Sequence, residues 1–158
     1  MVFQNLRARM SARLSGDREA GFTLIELLVV MLILGILAAI AIPAFFNQRD
    51  KGTDAQAKAA ARTAQTAIET FATEHGGDYT GADDAALQAI EPVLALEGEQ
   101  NGITVTEPDA TGYTVTAESG NEPNTFSIER NGGAVSFTCT ELGNGGCPND
   151  GAEGDWSK

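Results

Sequence analysis

Few residues in this chain carry side chains suited to chemistry, and they fall into four groups. Cys139 and Cys147 stand with seven residues between them in the Gly- and Asn-rich stretch TCTELGNGGCPND. A zinc site wants further nitrogen or sulfur ligands, and the one histidine, His75, is distant in sequence. In an exported domain the natural product of such a pair is a disulfide. Closing so short a loop stabilises a fold by about 2–3 kcal/mol. Glu26 is the second group, the one ionisable side chain between Glu19 and Arg49. A carboxylate at membrane depth is expensive and marks a functional position. A glutamate in the first turn of a helix is also favoured by the helix dipole, and composition does not separate the two readings. The third group is His75 itself, placed where it would bond the last carbonyls of a helix rather than act as a catalyst. The fourth is the set of oxygen-bearing residues Asn149, Asp150, Glu153 and Asp155, whose spacing fits no EF-hand and whose composition is that of a solvated acidic tail. No phosphate-binding glycine loop and no nucleophile–base set can be assembled. The expectation is a structural protein, not an enzyme, with no catalytic residue, no metal and no cofactor.

The elements that position these groups begin with an apolar run. Residues 27–46, LLVVMLILGILAAIAIPAFF, hold no charge. At about 1.5 Å per residue, twenty helical residues span roughly 30 Å, the thickness of a bilayer's hydrocarbon core. The run follows a basic segment containing Arg7, Arg9, Arg13 and Arg18, with Asp17 and Glu19 among them. Without residues 1–21, four of the ten bases and two of the twenty-two acids are gone, leaving six against twenty, a net of −14. Such a surface repels nucleic acid, so direct nucleic-acid binding is not expected. The acidity serves solubility.

The order of these features differs from an ordinary secretory signal. There, the apolar stretch precedes the small-residue cleavage site. Here Gly21 precedes the apolar stretch, so a cut at Gly21 leaves the helix on the mature chain. A plain N-terminal membrane anchor shares this pattern. The segment GFTLIELLVVMLILGILAAIAIPAF, residues 21–45, resembles the N-terminus of type IV pilins and pseudopilins. Gly21 stands before the cut, Phe22 is the aromatic new N-terminus, and Glu26 is the fifth mature residue. Gly35 and Pro43 match family positions within the helix. The resemblance implies a prepilin peptidase that cuts after Gly21 and methylates the Phe22 amine. It implies membrane lipid as the surroundings before assembly, then self-assembly into a helical filament driven by a machinery of ATPase and membrane platform. It implies a single-pass membrane protein that becomes an extracellular pilus at the cell surface. A type IV pilus subunit is the first expectation, and a pseudopilin of a type II secretion or DNA-uptake system the second.

The corresponding division is a leader at 1–21, a transmembrane and filament-core helix at 22–46 and an extracytoplasmic domain at 47–158. The apolar helix is expected to continue to about His75, with a kink or melt near Pro43 and Gly52. Ala57, Ala61, Ala64, Ile68 and Phe71 recur at helical spacing and predict a buried stripe. Asp50, Asp54, Lys58, Arg62 and Glu69 are expected largely on the opposite, wet face. Gly76 and Gly77 supply the stop. The connector, 76–101, holds a short helix from about Asp83 to Leu96, interrupted by Pro92. Four period-two segments in 102–140 predict an antiparallel sheet. Asn131-Gly132 between the last two signals a hairpin. The Cys loop and tail fill 139–158. The fold class expected is α+β, a long N-terminal helix packed against a C-terminal antiparallel sheet of about four strands, like a type IV pilin.

Overall fold

The structure, a computed structural model, describes residues 21–120, 123–149 and 154–157. Among these residues six elements follow in chain order. Helix α1 runs Leu24–Glu74, α2 runs Asp84–Ile90, and the strands are β1 (Ile103–Thr106), β2 (Gly112–Glu118), β3 (Thr125–Asn131) and β4 (Ala134–Cys139). The chain divides into two units at Pro43. In the first, residues 24–42 are uniformly helical and every side chain is exposed. Among the described residues one helix, α1, is long and apolar enough at its start to cross a membrane.

Helical structure continues through Pro43 and Gly52, so the expected melt is not seen. Proline deletes one backbone donor, and the Ala-rich sequence on either side keeps the rest of the ladder favourable. The helix stops at Glu74. Gly76 and Gly77 take φ of +72° and +95°, and the Gly77 N–H returns to the Ala72 carbonyl at 2.7 Å. That is the left-handed stop glycine tolerates best.

In the second unit four strands make one antiparallel sheet in the order β1-β2-β3-β4. Alternation puts Ile103, Tyr113, Val115, Ala117, Phe126 and Ile128 on the covered face, where they pack with Ala57, Ala61, Ala64, Ala67, Ile68 and Ala72 of α1. The small alanines of the helix accept the large side chains of the sheet. Phe71 is half-buried at the rim of this core.

Two boundaries differ from expectation. Helix α2 ends at Ile90 rather than near Leu96. Glu91, the residue before Pro92, sits at φ −128°, ψ 88°, outside the helical region that a following proline disfavours. Its start is as expected, with the Asp83 side chain accepting from the Ala86 N–H at 2.8 Å. The hairpin loop lies one residue later than Asn131-Gly132. Asn131 pairs with Ala134, leaving Gly132-Gly133 as the two-residue loop. Gly132 has φ +59° and Gly133 is not in the left-handed region, the pattern of a type II′ turn.

Candidate functional site: the start of the apolar helix and the disulfide-loop clamp

The apolar helix opens with a reciprocal cap. Thr23 precedes the first helical residue, and its hydroxyl accepts from the Glu26 N–H at 3.2 Å. The Glu26 carboxylate reaches back, and its Oε2 accepts from the Thr23 N–H at 2.8 Å and from the Thr23 hydroxyl at 2.8 Å. This Thr-x-x-Glu pairing satisfies two of the orphan donors at a helix start. Both bonds fall on Oε2, and Oε1 accepts nothing from the described residues. Glu26 is therefore held by its own helix while one carboxylate oxygen stays open to a further donor. Phe22, next to the cap, is 88% exposed. Beyond the helix's own neighbouring backbone, a Cβ on Gly35 would meet no atom of the described residues within 4 Å, so they give no steric reason for glycine there. Pro43 lies at the division between the two units. The leader expected at 1–21, apart from Gly21, falls outside the described residues.

At the other end of the chain the two cysteines form a disulfide, with Cα atoms 5.8 Å apart. It closes the loop that follows β4. What holds this loop against α1 is Asp54, which is fully buried. Asp54 thus does not sit on the wet face expected of it. It lies three and seven residues before Ala57 and Ala61, so it continues their stripe under the sheet. Its Oδ1 accepts from the Ser119 hydroxyl at 2.6 Å; its Oδ2 accepts from the Asn124 amide at 3.0 Å and the Gly146 N–H at 2.7 Å. The approach is so close that a Cβ on Gly145, at φ +56°, would collide with Asp54 Oδ2. One turn along the helix, Lys58 Nζ donates to the Gly146 carbonyl at 2.6 Å.

Lys58 is part-buried and also leaves the wet face, whereas Arg62 stays exposed, as expected, with its guanidinium over two aromatic rings. Lys58 Nζ stands 5.1 Å from the ring centre of Phe126, and the Arg62 guanidinium 5.2 Å from that of Trp156 and 5.4 Å from that of Phe137. Burial lowers the Lys58 ammonium below its ordinary range, with the neighbouring Arg62 adding to the effect against the pull of Asp54. Trp156 is itself buried, and its indole N–H donates to the Thr138 carbonyl at 2.8 Å. The tail is therefore not wholly solvated, because Trp156 anchors it. Of the four candidate oxygen ligands, Asp150 and Glu153 lie outside the described residues, and Asp155 Oδ1 accepts from the Ser157 N–H at 2.9 Å.

Glu69, the third acid expected in solvent, is a second node between helix and sheet. Its Oε1 accepts from the Tyr113 hydroxyl at 2.8 Å and from Arg130 at 2.9 Å, and its Oε2 from the Tyr79 hydroxyl at 3.0 Å. Burial first, then the hydrogen bond to Glu69 and its charge, push both tyrosine hydroxyls above their ordinary range. His75 stacks on Phe71 and bonds its carbonyl through Nδ1 at 2.8 Å, the helix-end role expected of it.

An apolar N-terminal helix that begins with a capped glutamate, and an antiparallel sheet packed on its second half and closed by a disulfide loop, define an α+β pilin-like fold. The comparisons agree. Residues 16–42 match the family model for the prokaryotic N-terminal methylation motif. Over 104 residues the chain is 46% identical to prepilin peptidase-dependent protein D of Escherichia coli, covering 56% of this chain and 71% of that one. Over 125 residues it is 32% identical to the type IV narrow pilus major component PilA5 of Thermus thermophilus, covering 78% of this chain and 97% of that one. It is 29% identical over 125 residues to the type IV major pilin protein PilE of Neisseria gonorrhoeae, covering 77% and 74%. No solved structure gives a significant match. The chain belongs to the type IV pilin family and is a pilus subunit. Its apolar helix anchors it in a membrane, and self-assembly into surface pili after prepilin-peptidase processing goes with the family.

Proposed function

We propose that this chain is cut after Gly21, methylated on the Phe22 amine, and polymerised through α1, with Glu26 selecting the axial position of each incoming subunit. Residues 1–21 are the leader, 22–46 the membrane and then filament-core helix, and 47–158 the extracytoplasmic domain. The observation that carries the reading is the state of Glu26: one carboxylate oxygen caps its own helix through Thr23, and the other accepts nothing from the described residues. Cleavage places a charged amine on Phe22, four residues and about 6 Å along the axis from Glu26. Within one chain the cap already occupies the carboxylate from that side. A neighbouring subunit offset along the axis presents its own Phe22 amine to that second oxygen. In a bundle of apolar helices neither charge keeps its water, and a buried unpaired charge costs several kcal/mol. Apolar contacts supply adhesion without direction, and the ion pair supplies register. Gly35 allows close approach of a neighbouring helix, and Pro43, which removes one rung of the helical ladder, lets residues 35–43 loosen as the subunit passes from lipid into the filament. An ATPase and a membrane platform supply the work of extraction.

The disulfide loop, together with relatives named as major pilins, favours a pilus subunit over a secretion pseudopilin. Replacement of Glu26 by alanine tests the assembly role. Glu26→Ala chains should be inserted and cleaved, yet form few or no filaments when they are the sole subunit. Abundant, normally ordered filaments of Glu26→Ala alone would remove the register role.

A further inference from the structure

The two edges of the sheet are finished differently. On β1, the outward-facing N–H groups belong to Ile103 and Val105. The first donates to the Ala95 carbonyl at 2.9 Å and the second to Asp84 Oδ1 at 2.6 Å. The connector therefore covers that edge. On β4, a two-residue hairpin at one end and the Thr140 N–H to Thr125 carbonyl bond at the other fix the phase of the ladder. Ala134, Ser136 and Thr138 turn their backbone groups toward β3, and Val135 and Phe137 turn theirs outward. No described residue bonds those outward groups. Val135 is 38% exposed and Ser136 is exposed. An unpaired strand edge is a template for another strand, and proteins blunt it with Lys, Pro or a bulge. β4 has none of these. Its sequence, AVSFTC, carries no charge in a mature chain whose net charge is −14.

We propose that the β4 edge is a self-association site whose occupant is the β4 edge of a second copy of this chain, joined antiparallel about Ser136. The register follows from the phase of the ladder. With Ser136 opposite Ser136 of the other copy, Val135 of each chain faces Phe137 of the other, and both are residues with outward backbone groups. Four backbone hydrogen bonds form, and each Val–Phe pair lies apolar against apolar on the helix-facing side of the sheet. A copy's β1 edge cannot serve, because Ala95 and Asp84 occupy it. A second copy is repelled by the acidic surface elsewhere, and this uncharged edge is where close approach is least opposed. The pairing is isologous, with a two-fold axis at Ser136. Successive subunits of one filament are related head to tail, without two-fold axes, so the contact joins different filaments. One such pairing is weak, but filaments repeat it along their length, and multivalency turns a weak contact into a stable bundle. That last step rests on the chain's being a pilus subunit; the pairing itself does not.

The test uses Ser136→Cys in the full chain on cells. Non-hydrogen-bonded antiparallel neighbours have Cβ atoms about 4.5–5.5 Å apart, within reach of a disulfide. Under mild oxidation the variant should give a reducible dimer whose cross-linked peptide maps 136 to 136, and electron micrographs should show bundled filaments. Thr104→Cys on the covered edge should give only background dimer. Adding Val135→Pro, which deletes an outward N–H and leaves the β3 ladder alone, should remove both dimer and bundles but leave single filaments. Val135→Glu, which brings like charge to the edge, should do the same. Intact Cys139–Cys147 linkage in peptide maps certifies the fold of each. Absence of the 136–136 cross-link, or its persistence in both Val135 variants, would overturn the proposal. Absence of filaments from unmodified chains would instead count against the pilus reading, and the cross-link on extracted protein would still decide the edge.

Discussion

Removing the Asp54 carboxylate should be among the most damaging single changes in the second unit. In Asp54→Ala the Gly146 N–H loses its partner, and so does one proton of the Asn124 amide, whose Nδ2 still reaches the Asn144 carbonyl at 3.2 Å. A stranded buried donor costs about 1–3 kcal/mol, and breaking a buried charged network about 3–5 kcal/mol. An expected loss of about 3 kcal/mol lowers the midpoint of thermal unfolding by about 10–20 °C for a domain of this size. Asp54→Asn separates geometry from charge. Its carbonyl can keep the Gly146 and Asn124 donors while its amide donates to the Ser119 hydroxyl, which reverses its role. Only the strengthening due to charge is lost, about 1–2 kcal/mol. Trp156, the single tryptophan, lies at the same corner and reports unfolding directly by its fluorescence. Urea titrations of the detergent-solubilised chain should rank wild type above Asn above Ala. If Ala lay within about 0.5 kcal/mol of wild type, as a surface change would, the clamp would have no energetic standing.

Reduction of Cys139–Cys147, or Cys147→Ser, should cost about 2–3 kcal/mol by freeing the loop in the unfolded chain. Because the same loop is held by Asp54, the combined loss with Asp54→Ala should be less than additive in a double-mutant cycle. Trp156→Ala should destabilise by about 3–5 kcal/mol as a buried aromatic, measured by urea unfolding followed by circular dichroism. Alkaline stability should respond to Tyr113. Its hydroxyl pKa is raised in the folded chain above the unfolded value of 10.0, so the folded form holds its proton longer. Its contribution is complete below pH 10 and is lost as pH rises further. Tyr113→Phe should flatten that decline, and an unchanged slope above pH 10 would show that Tyr113 does not set it.

Much of this architecture is legible in residue spacing. The Ala57–Ile68 stripe, the four alternating strands and the glycines after His75 each obey one local rule, and tertiary packing agrees with it. The departures share a cause. Residue type assigns Asp54, Lys58 and Glu69 to solvent, whereas position along the helix carries Asp54 under the sheet and leaves Lys58 and Glu69 part-buried. The spacing of Asp54 to Ala57 and Ala61 was the available signal. Trp156 was hidden by acidic, Gly-rich neighbours, although one large aromatic in such a tail is itself a sign of anchoring. At Glu26 the two readings, helix cap and membrane carboxylate, are compatible, because the carboxylate has two oxygens and the cap uses one. That division of labour depends on side-chain geometry, which spacing alone does not supply.

The mature N-terminus is where the account is most exposed. Intact-mass and N-terminal peptide analysis of the chain recovered from surface filaments should show residues 1–21 absent, Phe22 first, and one methyl group on its amine. Filament subunits that still begin at Met1 would contradict cleavage at Gly21, and with it the amine that Glu26 is proposed to receive.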